Sequence, residues 1–535
     1  MSTPPAPRFL RAALVAAALL SAAPLASAVT EPVKTDTGLL SGLPTATGAV
    51  RAYLGIPYAA PPVGDLRWRP PQPAPAWSGV RRADKFALAS MQPIRPPDPL
   101  MRPPDPPASE DSLYLNVWTP AKSATEKLAV LFWIHGGGNV SGTASMPHYN
   151  GEHLAAKGVV VVSINYRLGV FGWMAHPELT AESPHRASGN YALLDAIAAL
   201  QWVQRNIAAF GGDPARVTIW GQSAGGSNAS ALIASPLAKG LFARAILVSG
   251  GGLGGGPDND LASAEQGGVA YAKRLGAASI AELRALPAEK LRNERLGGRG
   301  GAGGGGGAVV DGWVLPDSIG KIVAQGKHNR VPVIAGSMAA DMPGAQSDLA
   351  RYLEQSKRMY GDRAGDFLKI YPAATEAEAK AAQLAAAGDR AMASNRSRFQ
   401  AEVTAGNRDV YLFYFTQVPP VPAQPGVMNG TSEAVSSLGA YHGAELVYTF
   451  GTLKTRDWPW TPVDLALAER MMTYWTNFAK AGTPNAPGTP EWPAWTPAGR
   501  QQMVFGDTSV AGPAPANPGV DFFLQAPARG PRPTP

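Results

Sequence analysis

The stretch FGGDPARVTIWGQSAGG, Phe210 to Gly226, decides how this chain is read. Its middle, Val217 to Trp220, is a short apolar run of the kind that forms a strand covered on both faces. Gly211-Gly212 stops the helical pattern before it, and a second helical stretch follows. Between strand and helix stands Gly221-Gln222-Ser223-Ala224-Gly225, the sequence's one G-x-S-x-G. In that setting the serine occupies a sharp, strained turn that presents its Oγ, and small flanking residues avoid collision across the turn. The helix behind it aims backbone N–H groups at a developing oxyanion. Ser223 is therefore the candidate nucleophile.

Working outward, His135-Gly136-Gly137-Gly138 directly follows the apolar run Leu128 to Ile134. Glycines there let backbone N–H groups face a carbonyl oxygen with no side chain in the way. The N–H groups of Gly137 and Gly138, with that of Ala224, make a candidate three-donor oxyanion hole. His135 reads as a residue that supports the turn, not as a base. Further apolar runs lie at Val159 to Ile164, Ala245 to Val248, Val331 to Ala335 and Val410 to Phe415. Segments of helical period alternate with them. Leu193, Ile197, Leu200, Val203 and Ile207 share one face, as do Met471, Trp475 and Phe478, where Asp464 is the expected cap and Gly482 the stop. Such alternation predicts an α/β fold with a mostly parallel central sheet, helices on both faces and long loop excursions.

Composition narrows the function classes. Hydrophobic residues are 45% of the 535 and charged residues 16%, so a large core can form and charge-driven disorder is excluded. The length alone allows about three domains, yet residues 29–511 show no clean boundary. The formal charge is +7, but no basic stripe interleaved with aromatics is present, which argues against a nucleic-acid partner. Cysteine is absent, and with it disulfides, thiolate metal sites and a Cys nucleophile. No H-E-x-x-H occurs, and His148 and His153 lack ligand spacing, so neither metal nor cofactor is expected.

The first 28 residues read as a cleavable signal peptide: Arg8 and Arg11, the apolar run Ala12 to Leu20, then Ala26-Ser27-Ala28. That run, with Pro24 following it, is too short to remain as a membrane span, so a secreted or periplasmic protein is expected. Cleavage after Ala28 removes two arginines and lowers the formal charge from +7 to +5. Pro93 to Pro107 and the glycine run Gly297 to Gly307 read as surface loops. Residues 512–535 read as a Pro/Ala-rich tail, partly disordered.

Several segments together resemble the type-B carboxylesterases of the α/β-hydrolase fold, the group that includes cholinesterases and bacterial esterases. They are GIPYAAPPVGDLRW (Gly55 to Trp68), EDSLYLNVWTP (Glu110 to Pro120), WIHGGG (Trp133 to Gly138), NYRLGVFGW (Asn165 to Trp173), the stretch already quoted, and GAYHGAELVYTFG (Gly439 to Gly451). The resemblance implies a serine ester hydrolase acting through an acyl-enzyme. Its H-G-x-E-L segment places the base at His442, with Glu445 structural. Its G-[ST]-N-x-D-E-G segment aligns with Gly336-Ser337-Met338-Ala339-Ala340-Asp341-Met342, which puts Asp341 in the place of the family's glutamate. The order Ser223, Asp341, His442 is that of α/β-hydrolases. Ser249 matches a serine that steadies the acid.

Two departures stand out. Ser90 and Ser112 fill positions where the family often has a disulfide, and Asn139 follows glycines that are often followed by an aromatic. The Asn139 amide either favours a polar acyl group or bonds to backbone. Family substrates range from simple aliphatic and aromatic esters to tricarballylate-type esters such as fumonisins, so a small-molecule ester, polar or anionic, is the expected partner. The other class considered is an inactive cholinesterase-like adhesion protein, against which Ser223 and His442 both speak.

Overall fold

The computed structural model describes residues 1, 31–94, 106–253, 260–294, 296, 306–342, 348–422 and 439–525. The expected signal peptide beyond Met1, most of the proline-rich and glycine-rich loops and residues 526–535 lie outside them.

Among the described residues eleven strands form one sheet. In chain order they are β1 (Leu43–Pro44), β2 (Arg51–Pro57), β3 (Tyr114–Thr119), β4 (Leu128–Ile134), β5 (Val160–Ile164), β6 (Gly212–Gln222), β7 (Arg244–Val248), β8 (Val333–Met338), β9 (Val410–Phe415), β10 (Gln501–Phe505) and β11 (Ser509–Pro513). Their spatial order is β11-β10-β9-β8-β7-β6-β4-β5-β3-β2-β1. Strands β4 to β10 pair in parallel. The outer pairings are antiparallel. The mostly parallel sheet expected from the apolar runs is present.

Alternate residues of β4 explain why its sequence shows no polar face. Val130, Phe132 and Ile134 enter one core, and Ala129, Leu131 and Trp133 enter another on the opposite side. The first core receives Leu193, Ile197 and Leu200 from α1 (Tyr191–Asn206) and Leu232 from α2 (Ala224–Ala234). It also takes Met392 and Phe399 from α3 (Glu376–Thr404). The second takes Met471, Trp475 and Phe478 from α4 (Pro462–Ala481). Asp464 is not the cap of α4. Thr461 is, accepting from the Asp464 N–H while the Asp464 carboxylate accepts from the Thr461 N–H at 3.0 Å. Pro462 supplies the first helical residue, where its missing N–H is no loss.

The expected tail begins inside the sheet. Residue 511 falls within β11, and α5 (Pro518–Leu524) packs on α3 with Phe522 buried beside Phe367 and Tyr371. Asn517 caps α5, accepting from Gly519 and Val520 N–H. Pro518 stands at the first helical position of α5, and residues 526–535 of the expected tail lie outside the described residues. No helix among the described residues is long and apolar enough to cross a membrane.

Strand order reverses at β4, which has β5 on one side and β6 on the other. In open α/β sheets the crevice beyond the carboxyl ends of such strands is where ligands bind. The glycine run after β4 and Ser223 after β6 both lie there.

Candidate active site

Strand β6 ends at Gln222 and α2 begins at Ala224, so Ser223 alone makes the turn. Its φ of 57° and ψ of −126° are outside the ordinary regions for a side-chain-bearing residue. Two backbone bonds hold it there: its N–H donates to Val248 O at 2.8 Å, and its C=O accepts from Ser227 N–H at 3.0 Å. The neighbouring glycines are required by contact. A Cβ at Gly221 would lie 2.2 Å from Gly225 O, and one at Gly225 would lie 2.0 Å from Ile134 O. Glycine at these positions lets the turn close against β4.

The run after β4 turns through left-handed conformations at Gly137 (φ 112°), Gly138 (φ 65°) and Asn139 (φ 61°). Gly137 C=O accepts from the N–H groups of Val140 and Ser141, and a Cβ on Gly137 would meet Ser141 O at 1.9 Å. The N–H groups of Gly137 and Gly138 donate to nothing among the described residues. That of Ala224 opens a helix and has no intrahelical acceptor. His135 is buried, its ring stacks on Tyr166 at 4.5 Å, and Nδ1 lies 2.8 Å from Gly136 O. Burial pulls its pKa down to about 4. It is a neutral prop for the turn.

His442 and Asp341, 101 residues apart, meet with Nδ1 2.5 Å from Oδ1. Backbone sets this distance. Ala340 N–H donates to Ala440 O at 3.0 Å, pinning the loop after β8 to the segment that carries His442. Burial alone would lower the His442 pKa, but the Asp341 charge and hydrogen bond leave it raised. With Nδ1–H given to Asp341, Nε2 holds the lone pair, and the Gln222 amide nitrogen lies 3.2 Å from it. Ser223 Oγ makes no hydrogen bond among the described residues. The structure thus joins Asp341 to His442 directly and brings His442 to the residue beside Ser223.

The other carboxylates behave differently. Asp311 accepts from the N–H groups of Trp313 and Leu315, and Asp317 from that of Ser318; neither contacts His442. Glu445 is buried with neither oxygen hydrogen-bonded, and burial pushes its pKa up to about 8. Ser249 does not touch the acid in the way its alignment implied. Its backbone N–H donates to Gly336 O and its buried hydroxyl has no partner, because the left-handed backbone at φ 50° commits the residue to the β7–β8 junction.

Asn139 bonds to another side chain, with Asn228 Nδ2 donating to its Oδ1 at 2.9 Å. Ser90 Oγ lies 2.9 Å from Ser112 Oγ and 2.7 Å from Tyr166 O, so a buried polar contact stands where the alignment placed a disulfide. Among the described residues no group of three or more His, Asp or Glu is placed to hold a metal. Gln222 and Asn228 were not singled out from the sequence. Their partners are 220 and 89 residues away, and nothing in an isolated amide announces them.

Residues 29–522 match the model of the carboxylesterase family. The chain is 34% identical over 506 residues to the fumonisin B1 esterase of Sphingopyxis macrogoltabida, covering 92% of this chain and 90% of that one. It is 34% identical over 503 residues to the cocaine esterase of Oryctolagus cuniculus, covering 88% and 90%. To carboxylesterase 1E of Mus musculus it is 33% identical over 502 residues, covering 84% of each. With this match over nearly its whole length and an eleven-stranded α/β-hydrolase sheet beneath it, the chain belongs to the carboxylesterase family and is a carboxylic ester hydrolase.

Proposed function

We propose that this hydrolase is an exported serine esterase that works through an acyl-enzyme. The observation that carries the reading is the 2.5 Å bond from His442 to Asp341, with the other imidazole nitrogen held by the amide of Gln222, the residue beside Ser223. On substrate binding, His442 Nε2 exchanges the Gln222 amide for Ser223 Oγ and takes its proton as Oγ attacks the ester carbon. The carbonyl π pair moves onto oxygen, which accepts from the N–H groups of Gly137, Gly138 and Ala224. Collapse breaks the bond to the alcohol oxygen, and that oxygen takes the proton from His442. Water then repeats the sequence on the acyl-enzyme, losing its proton to His442 and releasing the acid from Ser223. Asp341 keeps the imidazole in the Nδ1–H tautomer and offsets the imidazolium charge.

Export is supported by the signal-like first 28 residues and by a family match that begins at residue 29. The substrate is a polar or anionic ester of the tricarballylate type. The basic charge and the similarity to a fumonisin B1 esterase support this class.

Ser223→Ala should lower kcat by about 10⁶ with the fold intact, as nucleophile loss does in other serine hydrolases. A variant within tenfold of the parent on a p-nitrophenyl ester would mean another nucleophile. For the substrate class, a panel varying acyl charge should favour anionic acyl groups at low salt and lose that preference at high salt. Indifference to acyl charge sinks the anionic assignment.

A further inference from the structure

Three elements meet at the glycine run, and two asparagines tie them together. Asn139 follows the last glycine and has a left-handed backbone. Its C=O accepts from Gly169 N–H at 2.7 Å, and its side-chain Oδ1 accepts from Asn228 Nδ2 at 2.9 Å. Asn228 lies on α2, the helix that opens with Ala224. The Tyr166 hydroxyl donates to His135 O at 2.7 Å, and the Asn228 amide acts on it electrostatically. Tyr166 has one hydroxyl hydrogen, and His135 takes it, so the phenol oxygen can only accept. Asn228 gives its amide nitrogen to the Asn139 oxygen. All four residues are buried, so the bonds are shielded from competing water.

We propose that Asn139 and Asn228 form a clamp that positions the oxyanion donors. One end of the clamp lies immediately after Gly138, and the other on the helix that carries Ala224. It therefore fixes the two sources of N–H groups relative to each other. Asparagine adopts the positive φ of residue 139 more readily than most side-chain-bearing residues, and the bond to Asn228 holds its side chain in place. Both are positioning residues, acting through backbone donors without touching substrate. The inference rests on the serine-esterase reading.

The test compares Asn139→Gly, Asn228→Ala and the double variant in the full-length enzyme. Glycine accepts the left-handed backbone without strain, so Asn139→Gly removes the clamp and leaves the turn able to form. On p-nitrophenyl acetate each single variant should lose about 10–100-fold in kcat, with KM within about twofold of the parent, somewhat less than deleting a donor outright. An aryl trifluoromethyl ketone, whose adduct with Ser223 puts an oxyanion in the hole, should bind weaker by the same factor. The double variant should lose no more than the worse single one, because either change opens the same clamp.

Unchanged kcat and inhibitor affinity in Asn139→Gly overturns the clamp, as do losses confined to KM or single losses that multiply in the double variant. A parent enzyme that releases no p-nitrophenol, or a Ser223→Ala variant as active as the parent, overturns the serine-esterase reading itself.

Discussion

In the proposed triad Asp341 reaches His442 with one methylene fewer than a glutamate would have, and the backbone makes up the difference. The bridge from Ala340 to Ala440 brings the β8 loop close enough for a 2.5 Å contact with His442. Asp341→Asn should preserve this geometry yet lower kcat by about 10⁴, because an amide favours the wrong imidazole tautomer. Near-parental activity in that variant, with Asp311→Asn or Asp317→Asn dead, would reassign the acid. The pH profile carries the same information. Only neutral His442 can take the serine proton, and its pKa is raised above the ordinary 6.5, so kcat/KM should fall as pH drops through a midpoint above 6.5. Removing the Asp341 charge should move that midpoint to lower pH; a midpoint that stays put would show that Asp341 does not face the titrating group. The strained turn at Ser223 was legible in the sequence because its neighbours must be small. Asp341 was legible only by alignment, and Gln222 and Asn228 not at all, since their roles come from contacts between distant segments.

At the scale of elements, two strands covered on both faces could be read to the residue, whereas β6 extends well beyond Val217 to Trp220 and β8 is displaced to Val333–Met338. Leu128–Ile134 and Val410–Phe415 coincide with their apolar runs. Strands β2 and β3 were hidden by polar and small residues that the fold uses. Asn116, in the middle of β3, donates to Ser163 Oγ at 3.1 Å and accepts from Gly55 N–H at 3.0 Å, so a buried amide interrupts the apolar pattern. The start of α4 was misread by three residues because Asp464 has a second duty. It accepts from Tyr448 Oη at 2.7 Å as well as from the Thr461 backbone. Thr461→Ala removes the cap hydroxyl and should destabilise the protein by about 1 kcal/mol in urea unfolding, with kcat unchanged. No shift of the midpoint would show that the Asp464 carboxylate alone suffices to start the helix.

Across the whole molecule, the buried Glu445 couples folding to pH. Its side chain would ionise near 4.5 in the unfolded chain but stays protonated up to about 8 when folded. Between those values the native state holds a proton that the unfolded state has released. The contribution is therefore complete below the unfolded value and is lost as pH rises through about 8. Glu445→Gln should flatten the fall in unfolding free energy between about pH 4.5 and pH 8, a difference on the order of a few kcal/mol across that window. Parallel curves for parent and variant would mean that Glu445 is ionised throughout. Reducing agents should leave both curves alone, since the chain has no cysteine and Ser90 and Ser112 meet by hydroxyl contact.

The ends of the sheet have a consequence for how copies of the molecule meet. Its last strand on one side, β11, closes on Pro513, and on the other side the two-residue β1 closes on Pro44. A sheet edge recruits further chains by offering a row of unpaired N–H and C=O groups, and proline takes donors out of that row. Eleven strands side by side would otherwise be a broad template for stacking edge to edge. At Pro513 and Pro44 a neighbouring strand would find no N–H to pair with, which shortens the edge each rim can offer.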